Sequence, residues 1–372
     1  MKVGILNLFF GLNYGAVLQA YALQTVLERM GHQCEMIHYY YDWLKERHNF
    51  RSRHPFLSSL KHAFMFPLTA TGLWHDDFPK KQRLFQKFLK KLHVSSNEYL
   101  NLAQAADLET KYDRFICGSD QVWCFHLEFP DPFLFLEFVK DPIKKNAYAI
   151  SANTPEVPEK WKNHLAKILR EFHHVSVRET NLAKTYEEIS QRNIPVLLDP
   201  TFLLTAEDWK KEETLLPYSN YILFYPLECP IEVCAYTYQL SKKTGLPVIQ
   251  IGEREFCKEI QAKYVTCGPG EFLSLVRNAT HIVTNSFHGM AFSIIFNKNF
   301  LVSYGQSPYR KAMNGRFDTI IEKFNLQNRI FNESSDIFTE INYAPINATI
   351  QNEQEKSFAY LQKIFEDFPR SR

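Results

Sequence analysis

Short apolar runs of strand length alternate with segments of helical period along most of the chain. The first apolar run spans residues 2–9, and the helix-like segment after it carries Val17, Leu18 and Ala22 on its apolar side and ends before Gly31. An alternation of this kind is typical of βαβ units, in which crossover helices connect parallel strands. The sequence therefore predicts a doubly wound α/β architecture.

The alternation occurs in two series, and a chain of 372 residues is long for one domain. We predict two Rossmann-like domains, over 1–205 and 206–350, with a cleft between them at the carboxyl ends of both sheets. A helical run over 351–372 is expected to pack back across the hinge. Further strands are predicted over 35–39, 114–117, 146–150, 174–177, 195–198, 221–225, 247–251, 281–284 and 300–304, and helices over 159–172, 179–190, 230–243, 269–277, 289–296 and 315–325.

A basic aromatic segment at about 42–100 interrupts this rhythm and is predicted to be a helical insertion. Between Lys45 and Lys91 it has eleven Lys or Arg against three acidic residues, whereas the whole chain has a formal net charge of only +2. The near-neutral total argues against a nucleic-acid binder. Three roles stay open for the segment: a lid over the cleft, a surface that contacts anionic membrane lipid, or a solvated helical face.

Cysteine usage and the absence of a leader indicate the compartment. The seven cysteines form no C-x-x-C pair, and the chain shows neither a secretory leader nor an apolar run long enough to span a bilayer. We therefore expect reduced thiols, no bound metal, and a cytoplasmic protein that is at most peripheral at the inner face of the membrane.

The segment 285–289, Asn-Ser-Phe-His-Gly, follows a predicted strand and opens a predicted helix. Free N–H groups and a partial positive charge at a helix start favour a bound anion. His288 beside that anion can neutralise it or give it a proton, so it is the first catalytic candidate. Asn285, Ser286 and Gly289 are candidate anion contacts. Alternatively, Ser286 caps the helix, Gly289 permits a tight turn and His288 is an ordinary polar residue.

Polar residues also follow two strands of the first series. Asn13 and Tyr14 lack the glycine spacing of a dinucleotide fingerprint, which leaves a sugar contact or a plain turn. Asp120 is a candidate base for a sugar hydroxyl, with Ser119 and Gln121 holding neighbouring groups. The competing interpretation is that Ser119 or Asp120 only caps a helix.

Cationic candidates occur in both halves of the chain. Arg178 ends a predicted strand, where a guanidinium group can bind a carboxylate or phosphate through two hydrogen bonds. It can instead form an ion pair with Glu179 or Asp199. Candidate phosphate ligands, or a solvated loop, follow the strand predicted over 300–304: Arg310, Lys311 and Arg316.

Together these segments resemble the polysaccharide pyruvyl transferase family. The blocks come in the family's order: 13–24, 118–123, 176–179, 198–201 and 285–289. The resemblance implies two Rossmann-like domains arranged as in GT-B glycosyltransferases. It also implies transfer of the pyruvyl group of phosphoenolpyruvate to two hydroxyls of a sugar, which gives a cyclic ketal and free phosphate.

The resemblance assigns roles to particular residues. Arg178 matches a donor-binding arginine, and His288 matches the histidine of the family's H-G motif. Other branches carry an arginine two positions before that histidine, where this chain has Ser286. We therefore look for the missing cation among the three cations after the strand predicted over 300–304. Phosphoenolpyruvate is the implied donor substrate, and no cofactor is implied.

The expected acceptor is a sugar or a lipid-linked oligosaccharide of a surface polysaccharide, such as a capsule or exopolysaccharide. Two other functions stay open, because fold alone does not fix function. One is a GT-B glycosyltransferase, which would bind a nucleotide sugar. The other is a non-catalytic sugar-binding protein, which would tolerate the loss of His288 and Arg178.

Overall fold

Six parallel strands form the first sheet. The computed structural model describes residues 1–39, 77–125, 131–228, 230–252 and 260–366. The strand order β3-β2-β1-β4-β5-β6 is that of a doubly wound dinucleotide-binding fold. The strands are β1 (Lys2–Leu6), β2 (Gln33–Tyr39), β3 (Val94–Tyr99), β4 (Arg114–Cys117), β5 (Lys145–Ile150) and β6 (His174–Val177).

Five parallel strands form the second sheet, in the order β11-β10-β7-β8-β9. They are β7 (Ile222–Tyr225), β8 (Val248–Gln250), β9 (Lys263–Tyr264), β10 (His281–Thr284) and β11 (Asn299–Val302). Strands β7 and β10 are buried along their whole length, which agrees with the continuous apolar run of β7. Both sheets confirm the predicted α/β fold class.

Helices connect the strands and cover both sheets. They are α1 (Tyr14–Arg29), α2 (Phe78–Leu89), α3 (Leu108–Lys111), α4 (Glu159–Glu171), α5 (Thr180–Ser190), α6 (Ala206–Glu212), α7 (Ile231–Thr244), α8 (Pro269–Asn278), α9 (Phe287–Ile295), α10 (Pro308–Lys311), α11 (Gly315–Lys323) and α12 (Tyr343–Glu366). Short 3₁₀ turns lie at Leu102–Ala105, Pro142–Lys144, Pro200–Leu203 and Gln327–Arg329.

Residues 195–198 are not the strand that their apolar run predicts. Val196 makes a single parallel bridge to Val177, and the chain then turns at Asp199 into the 3₁₀ helix Pro200–Leu203. Because Pro200 lacks an N–H and Asp199 caps the turn, the pairing does not extend. Asp199 thus lies at the connection between the two sheets.

The predicted insertion is not helical up to residue 100, because β3 belongs to the first sheet and pairs with β2. Its helix α2 buries Phe85, whose ring lies 5.3 Å from that of Tyr14. A Cβ atom at Gly268, just before α8, would lie 2.8 Å from Leu84 of α2. Helix α2 therefore packs between the start of α1 and the second half of the chain. Residues 40–76, most of the insertion, lie outside the described residues.

Helix α12 contacts elements of both sheets. It begins at Tyr343 rather than at 351, and Glu353 forms an ion pair with Lys323 of α11. Near its other end, the Arg114 side chain of β4 donates a hydrogen bond of 3.0 Å to the carbonyl of Ile364. The helix therefore spans the junction between the halves.

Four described cysteines are free thiols, whereas Cys234 is disulfide-bonded, so the expectation of reduced cysteines is wrong at that position. Within the described ranges, no helix has the length and apolar character to cross a bilayer. The same ranges contain no cluster of three or more His, Cys, Asp or Glu residues suited to a metal ion.

Candidate active site between the two sheets

Polar side chains from both halves of the chain meet at the carboxyl ends of the strands. Asp120 follows β4, Arg178 and Glu179 follow β6, Asp199 comes from the connection, and His288 comes from α9 after β10. Ligands of doubly wound folds gather at this edge of a sheet. The sequence placed these residues near strand ends, and the structure brings them into one cluster.

Arg178 is the centre of the cluster and is 1% exposed. Its Nη1 donates to Asp199 Oδ2 at 2.5 Å, and its Nε donates to Glu179 Oε1 at 3.2 Å. Both ion pairs that the sequence left open are therefore present. Its Nη2 lies 3.6 Å from Asp120 Oδ1 and has no hydrogen-bond partner among the described residues. Burial lowers the pKa of Arg178, but the three carboxylates outweigh burial and raise it above the ordinary value.

Phe287, in the second half of the chain, packs its ring against the guanidinium group of Arg178. The guanidinium carbon lies 4.2 Å from the centre of the Phe287 ring, within the range of a cation–π contact. This contact joins the end of β6 to the start of α9. Sequence analysis did not single out Phe287, because an aromatic residue at a helix start is indistinguishable from core.

His288 lies where α9, α1 and the connection meet. Its Nε2 lies 3.5 Å from Asp199 Oδ2, too long for a strong hydrogen bond, and has no hydrogen-bond partner in the part of the chain described. Its ring lies so close to α1 that a Cβ atom at Gly15 would be 1.8 Å from Nδ1. The histidine is therefore held at a fixed position beside a carboxylate.

Asp199 is fully buried and accepts hydrogen bonds from several groups. Its Oδ1 accepts hydrogen bonds from the backbone N–H of Thr201 at 2.9 Å and from its hydroxyl at 2.7 Å. Burial raises the pKa of Asp199, but His288, Arg178 and Thr201 outweigh burial and hold it well below the ordinary value. Asp199 therefore stays ionised between Arg178 and His288. From the sequence, Asp199 was a possible ion-pair partner of Arg178.

Asp120 adopts a left-handed backbone conformation, with φ of 73°. Its carbonyl accepts hydrogen bonds from Val122 and Ser151, which fix this uncommon geometry, and its side chain is 15% exposed. Ser119 is fully buried, donates a hydrogen bond of 2.8 Å to the carbonyl of Ala149 and lies 3.4 Å from Asp199 Oδ2, so it borders the cluster. The partly buried Gln121 side chain lies 3.5 Å from the carbonyl of Ala152.

The side chains around His288 are engaged within the protein. Ser286 caps α9, with its Oγ 3.3 Å from the N–H of Gly289, as the alternative interpretation predicts. Asn285 accepts a hydrogen bond from the N–H of Leu227 at 2.6 Å and donates to the carbonyl of Glu228. Asn285 therefore ties the end of β10 to the loop after β7.

Asn13 and Tyr14 have different environments. Asn13 is exposed and caps α1 by accepting hydrogen bonds from Gly15 and Ala16. Tyr14 is buried, stacks on Phe272 with ring centres 4.9 Å apart, and its hydroxyl contacts Cys267. Tyr14 is therefore packing between the halves rather than an open sugar contact.

The three cations after β11 separate into distinct roles. Arg310 lies 3.6 Å from the Glu228 carboxylate and donates to a carbonyl, and Lys311 is exposed. Arg316 is partly buried, and its Nε is buried without a hydrogen-bond partner in the described chain. Burial, together with the charge of Arg178, lowers the pKa of Arg316 to about 10.

Glu179 and Arg316 face each other across a nearly closed space. They line a cavity of about 10 Å³, close to the minimum for one water molecule. Glu179 Oε1 accepts a hydrogen bond of 2.6 Å from Ser151, whereas Oε2 is buried and unpartnered among the described residues. Burial raises the pKa of Glu179 despite Arg178.

Known structures share this architecture. UDP-GlcNAc 2-epimerase from Methanocaldococcus jannaschii, in complex with UDP-GlcNAc and UDP, is 11% identical with a TM-score of 0.52, over 98% of this chain and 100% of that one. A putative UDP-N-acetylglucosamine 2-epimerase from Listeria monocytogenes is 10% identical with a TM-score of 0.52, over 100% and 98%. The likeness concerns the fold alone and confirms the predicted GT-B-like arrangement.

Sequence comparison identifies the family. No curated protein sequence matches the chain. The family model described as polysaccharide pyruvyl transferase matches residues 13–307, which include the clustered Arg178, Asp199 and His288. Because that match covers well over half of the chain, the protein belongs to the polysaccharide pyruvyl transferase family.

Proposed function

We propose that the protein transfers the pyruvyl group of phosphoenolpyruvate to two hydroxyls of a sugar, forming a cyclic ketal during assembly of a surface polysaccharide. Family membership supports a transferase of this class. The observation that carries the proposal is the buried cluster of Arg178, Asp199 and His288, in which Arg178 Nη2 has no hydrogen-bond partner among the described residues. The unpaired Nη2 can bind the carboxylate of phosphoenolpyruvate, and Arg316 beside the cluster can bind its phosphate.

Two guanidinium groups bind the donor in this proposal. Arg178 Nη2 and Arg316 Nε are buried N–H groups without a hydrogen-bond partner among the described residues, and the two guanidinium charges repel each other. A bound carboxylate and phosphate would satisfy both groups and relieve that repulsion. Arg310 is held by Glu228, and Lys311 is exposed, so Arg316 is the best replacement for the arginine that the family resemblance expects near His288.

The reaction needs one acid and one base. His288 protonates carbon 3 of the donor, which becomes a methyl group and leaves positive charge at carbon 2. The first sugar hydroxyl adds to carbon 2 and gives its proton to Asp120. Asp120 passes this proton to the phosphate oxygen as the bond from carbon 2 to that oxygen breaks. The second hydroxyl then closes the ring at carbon 2 and gives its proton to Asp120, from which it returns to His288. General acid–base assistance typically contributes about 10² to 10⁴-fold.

The acceptor and its location belong to the same proposal. We place the enzyme in the cytoplasm, where a lipid-linked oligosaccharide at the inner face of the membrane is the acceptor. The basic residues of α2 support peripheral contact with anionic lipid, since Lys80, Arg83 and Lys87 are exposed. Co-sedimentation with anionic vesicles at low and high salt tests this contact, and binding that does not respond to salt contradicts it.

Donor binding is tested by calorimetric titration of phosphoenolpyruvate into the wild-type protein, Arg316→Gln and Arg310→Gln. We expect Arg316→Gln to weaken binding at least about tenfold, because a charged hydrogen bond contributes about 1.5–3 kcal/mol. Arg310→Gln is the matched control and should bind nearly as the wild type does. Equal weakening in both variants would contradict the role of Arg316.

A nucleotide sugar provides the second arm of the experiment. Binding of UDP-GlcNAc with no binding of phosphoenolpyruvate would replace the proposal with a glycosyltransferase. Phosphate release from phosphoenolpyruvate should require an acceptor with two free hydroxyls on neighbouring or alternate carbons. Donor binding and phosphate release that survive in His288→Gln would contradict its role as the acid.

A further inference from the structure

A second pocket lies outside the cluster described above and shares no residue with it. It has a volume of about 210 Å³ and lies between the end of α11, the 3₁₀ helix Gln327–Arg329 and the first turns of α12. Its polar lining consists of Asn325, Asn328, Arg329, Glu340, Asn342 and Thr349. The pocket is large enough for a single sugar ring.

Arg329 lines this pocket and is 1% exposed. Its Nη2 donates to the carbonyl of Thr339 at 2.8 Å. Its Nε and Nη1 are buried and have no hydrogen-bond partner within the described part of the chain. A buried N–H group without an acceptor is destabilising, more so when it is charged, so a bound anion would satisfy this guanidinium group.

The neighbouring acids do not supply those acceptors. Asp336 already accepts hydrogen bonds from the N–H of Phe338 and from the hydroxyl of Thr339. Glu340 is exposed, so its charge is largely screened by water. Asp336 interacts electrostatically with Arg329 without hydrogen-bonding its Nε or Nη1, so two charged N–H groups beside the pocket keep their hydrogen-bonding capacity.

The start of α12 adds to the positive potential. Asn342 caps this 24-residue helix by accepting a hydrogen bond from Ala344, and Pro345, Ile346 and Thr349 of its first turns line the pocket. A helix start carries a partial positive charge that favours anions. Helix dipole and buried guanidinium group thus point to the same kind of ligand.

We propose that this pocket binds a sugar-sized, hydroxylated molecule that carries one carboxylate or phosphate group. Arg329 binds the anionic group, and the amides of Asn325, Asn328 and Asn342 bind hydroxyls. Apolar residues of the wall, such as Ile346, cover the carbon face of the ring. A ligand here contacts both the end of α11 and the start of α12. The inference is independent of the proposed pyruvyl transfer.

The test uses calorimetric titration of the full chain with glucuronate, glucose 6-phosphate, inorganic phosphate and glucose. We expect one of the two anionic sugars to bind at least about tenfold more tightly than glucose, which corresponds to about 1.4 kcal/mol. Comparing glucuronate with glucose 6-phosphate decides between carboxylate and phosphate. Inorganic phosphate alone should bind more weakly than the preferred sugar.

Variants assign the binding to this pocket. Asn328→Asp adds a negative charge to the lining at an exposed position and should weaken binding of the anionic sugar at least tenfold. Asn332→Asp makes the same change outside the lining and should leave binding unchanged. Glu340→Gln should strengthen binding. Arg329→Gln should abolish binding. If Arg329→Gln does not fold, the result for Asn328→Asp alone tests the proposal.

Three outcomes would overturn the proposal: no binding of either anionic sugar, equal binding of glucose, or binding that Asn328→Asp leaves intact. Binding of phosphoenolpyruvate is measured in the same variants, because Asn328 lies outside the cluster around Arg178. If a variant loses binding of the anionic sugar but still binds phosphoenolpyruvate, the two ligands occupy separate sites. Failure of donor binding in the wild-type protein concerns only the transferase proposal.

Discussion

The imidazole ring of His288 lies directly against Gly15, across the junction of the two halves. A Cβ atom at Gly15 would lie 1.8 Å from Nδ1 and 2.2 Å from Cγ of that ring. Gly15 is in the first turn of α1 and has no positive φ, so space rather than backbone conformation requires glycine here. The start of α1 therefore helps to position the candidate acid.

Gly15→Ala should displace His288 and lower activity at least about 100-fold, within the range of a lost general acid. The added methyl group should cost at most about 1–3 kcal/mol of unfolding free energy, because the ring can rotate away. Gly11→Ala is the matched control, since a Cβ atom there would meet nothing within 4 Å. Acceptor-dependent phosphate release and urea unfolding are measured for both variants. Full activity in Gly15→Ala would contradict the positioning role.

The carboxylate of Asp199 should make stability depend on pH. Its pKa in the folded protein is below the ordinary value of about 3.9, so its contribution is complete above that pH and is lost as the pH falls. Asp199→Asn leaves Arg178 with one fewer buried partner and should cost about 3–5 kcal/mol at pH 7. The difference from the wild-type protein should shrink below about pH 4.

Urea unfolding at pH 7, 5, 4 and 3 measures this difference. Asp107→Asn is the control, because its ion pair with Lys111 is exposed. Exposed pairs contribute at most about 1 kcal/mol, so the control should shift unfolding little at any pH. A difference for Asp199→Asn that stays constant from pH 7 to 3 would show that its charge is not the stabilising feature.

Much of the fold was predictable because the spacing of apolar residues differs between strands and helices. The boundaries of β4, β6 and β10 were predicted to the residue, since each is a short buried run bounded by polar residues. Strand β3 was missed because Val94–Tyr99 has only one buried residue and lies at the sheet edge. Propensity alone does not identify such a strand.

The sequence indicated which residues lie at the candidate site but did not indicate which of them contact each other. His288, Arg178 and Asp120 were identified because polar residues at strand ends meet in this fold. That Asp199 would lie between Arg178 and His288 depends on the path of the connection. The choice among the cations after β11 likewise required burial, which separates Arg316 from exposed Lys311. Neither property leaves a local signal in the sequence.

Phe85 should be a major stabilising contact of α2. It is fully buried and packs against Tyr14, whereas Phe78 on the same helix is 40% exposed. Phe85→Ala should lower the unfolding free energy by about 3–5 kcal/mol, through lost burial and a new cavity. Phe78→Ala should change it by less than about 1 kcal/mol. Equal effects, measured by urea unfolding, would contradict the packing of α2 between the halves.

Helix α12 should couple the stability of the two halves. Its side chains Leu361 and Ile364 are fully buried, and the carbonyl of Ile364 accepts the hydrogen bond from Arg114 of β4. Ile364→Ala keeps that carbonyl but removes buried methyl groups, so it should cost about 2–5 kcal/mol. Phe358→Ala, at a side chain 36% exposed, is the control and should cost much less.

Amide hydrogen exchange shows whether Ile364→Ala loosens only α12 or both halves of the chain. If α12 ties the halves together, Ile364→Ala should speed exchange of amides in β4 and in α11 alike, since α11 holds the helix through the ion pair of Lys323 with Glu353. Faster exchange confined to the last turns of α12 would mean that the helix only covers the first sheet. In that case its removal would expose one surface without loosening the junction that holds His288 beside Asp199.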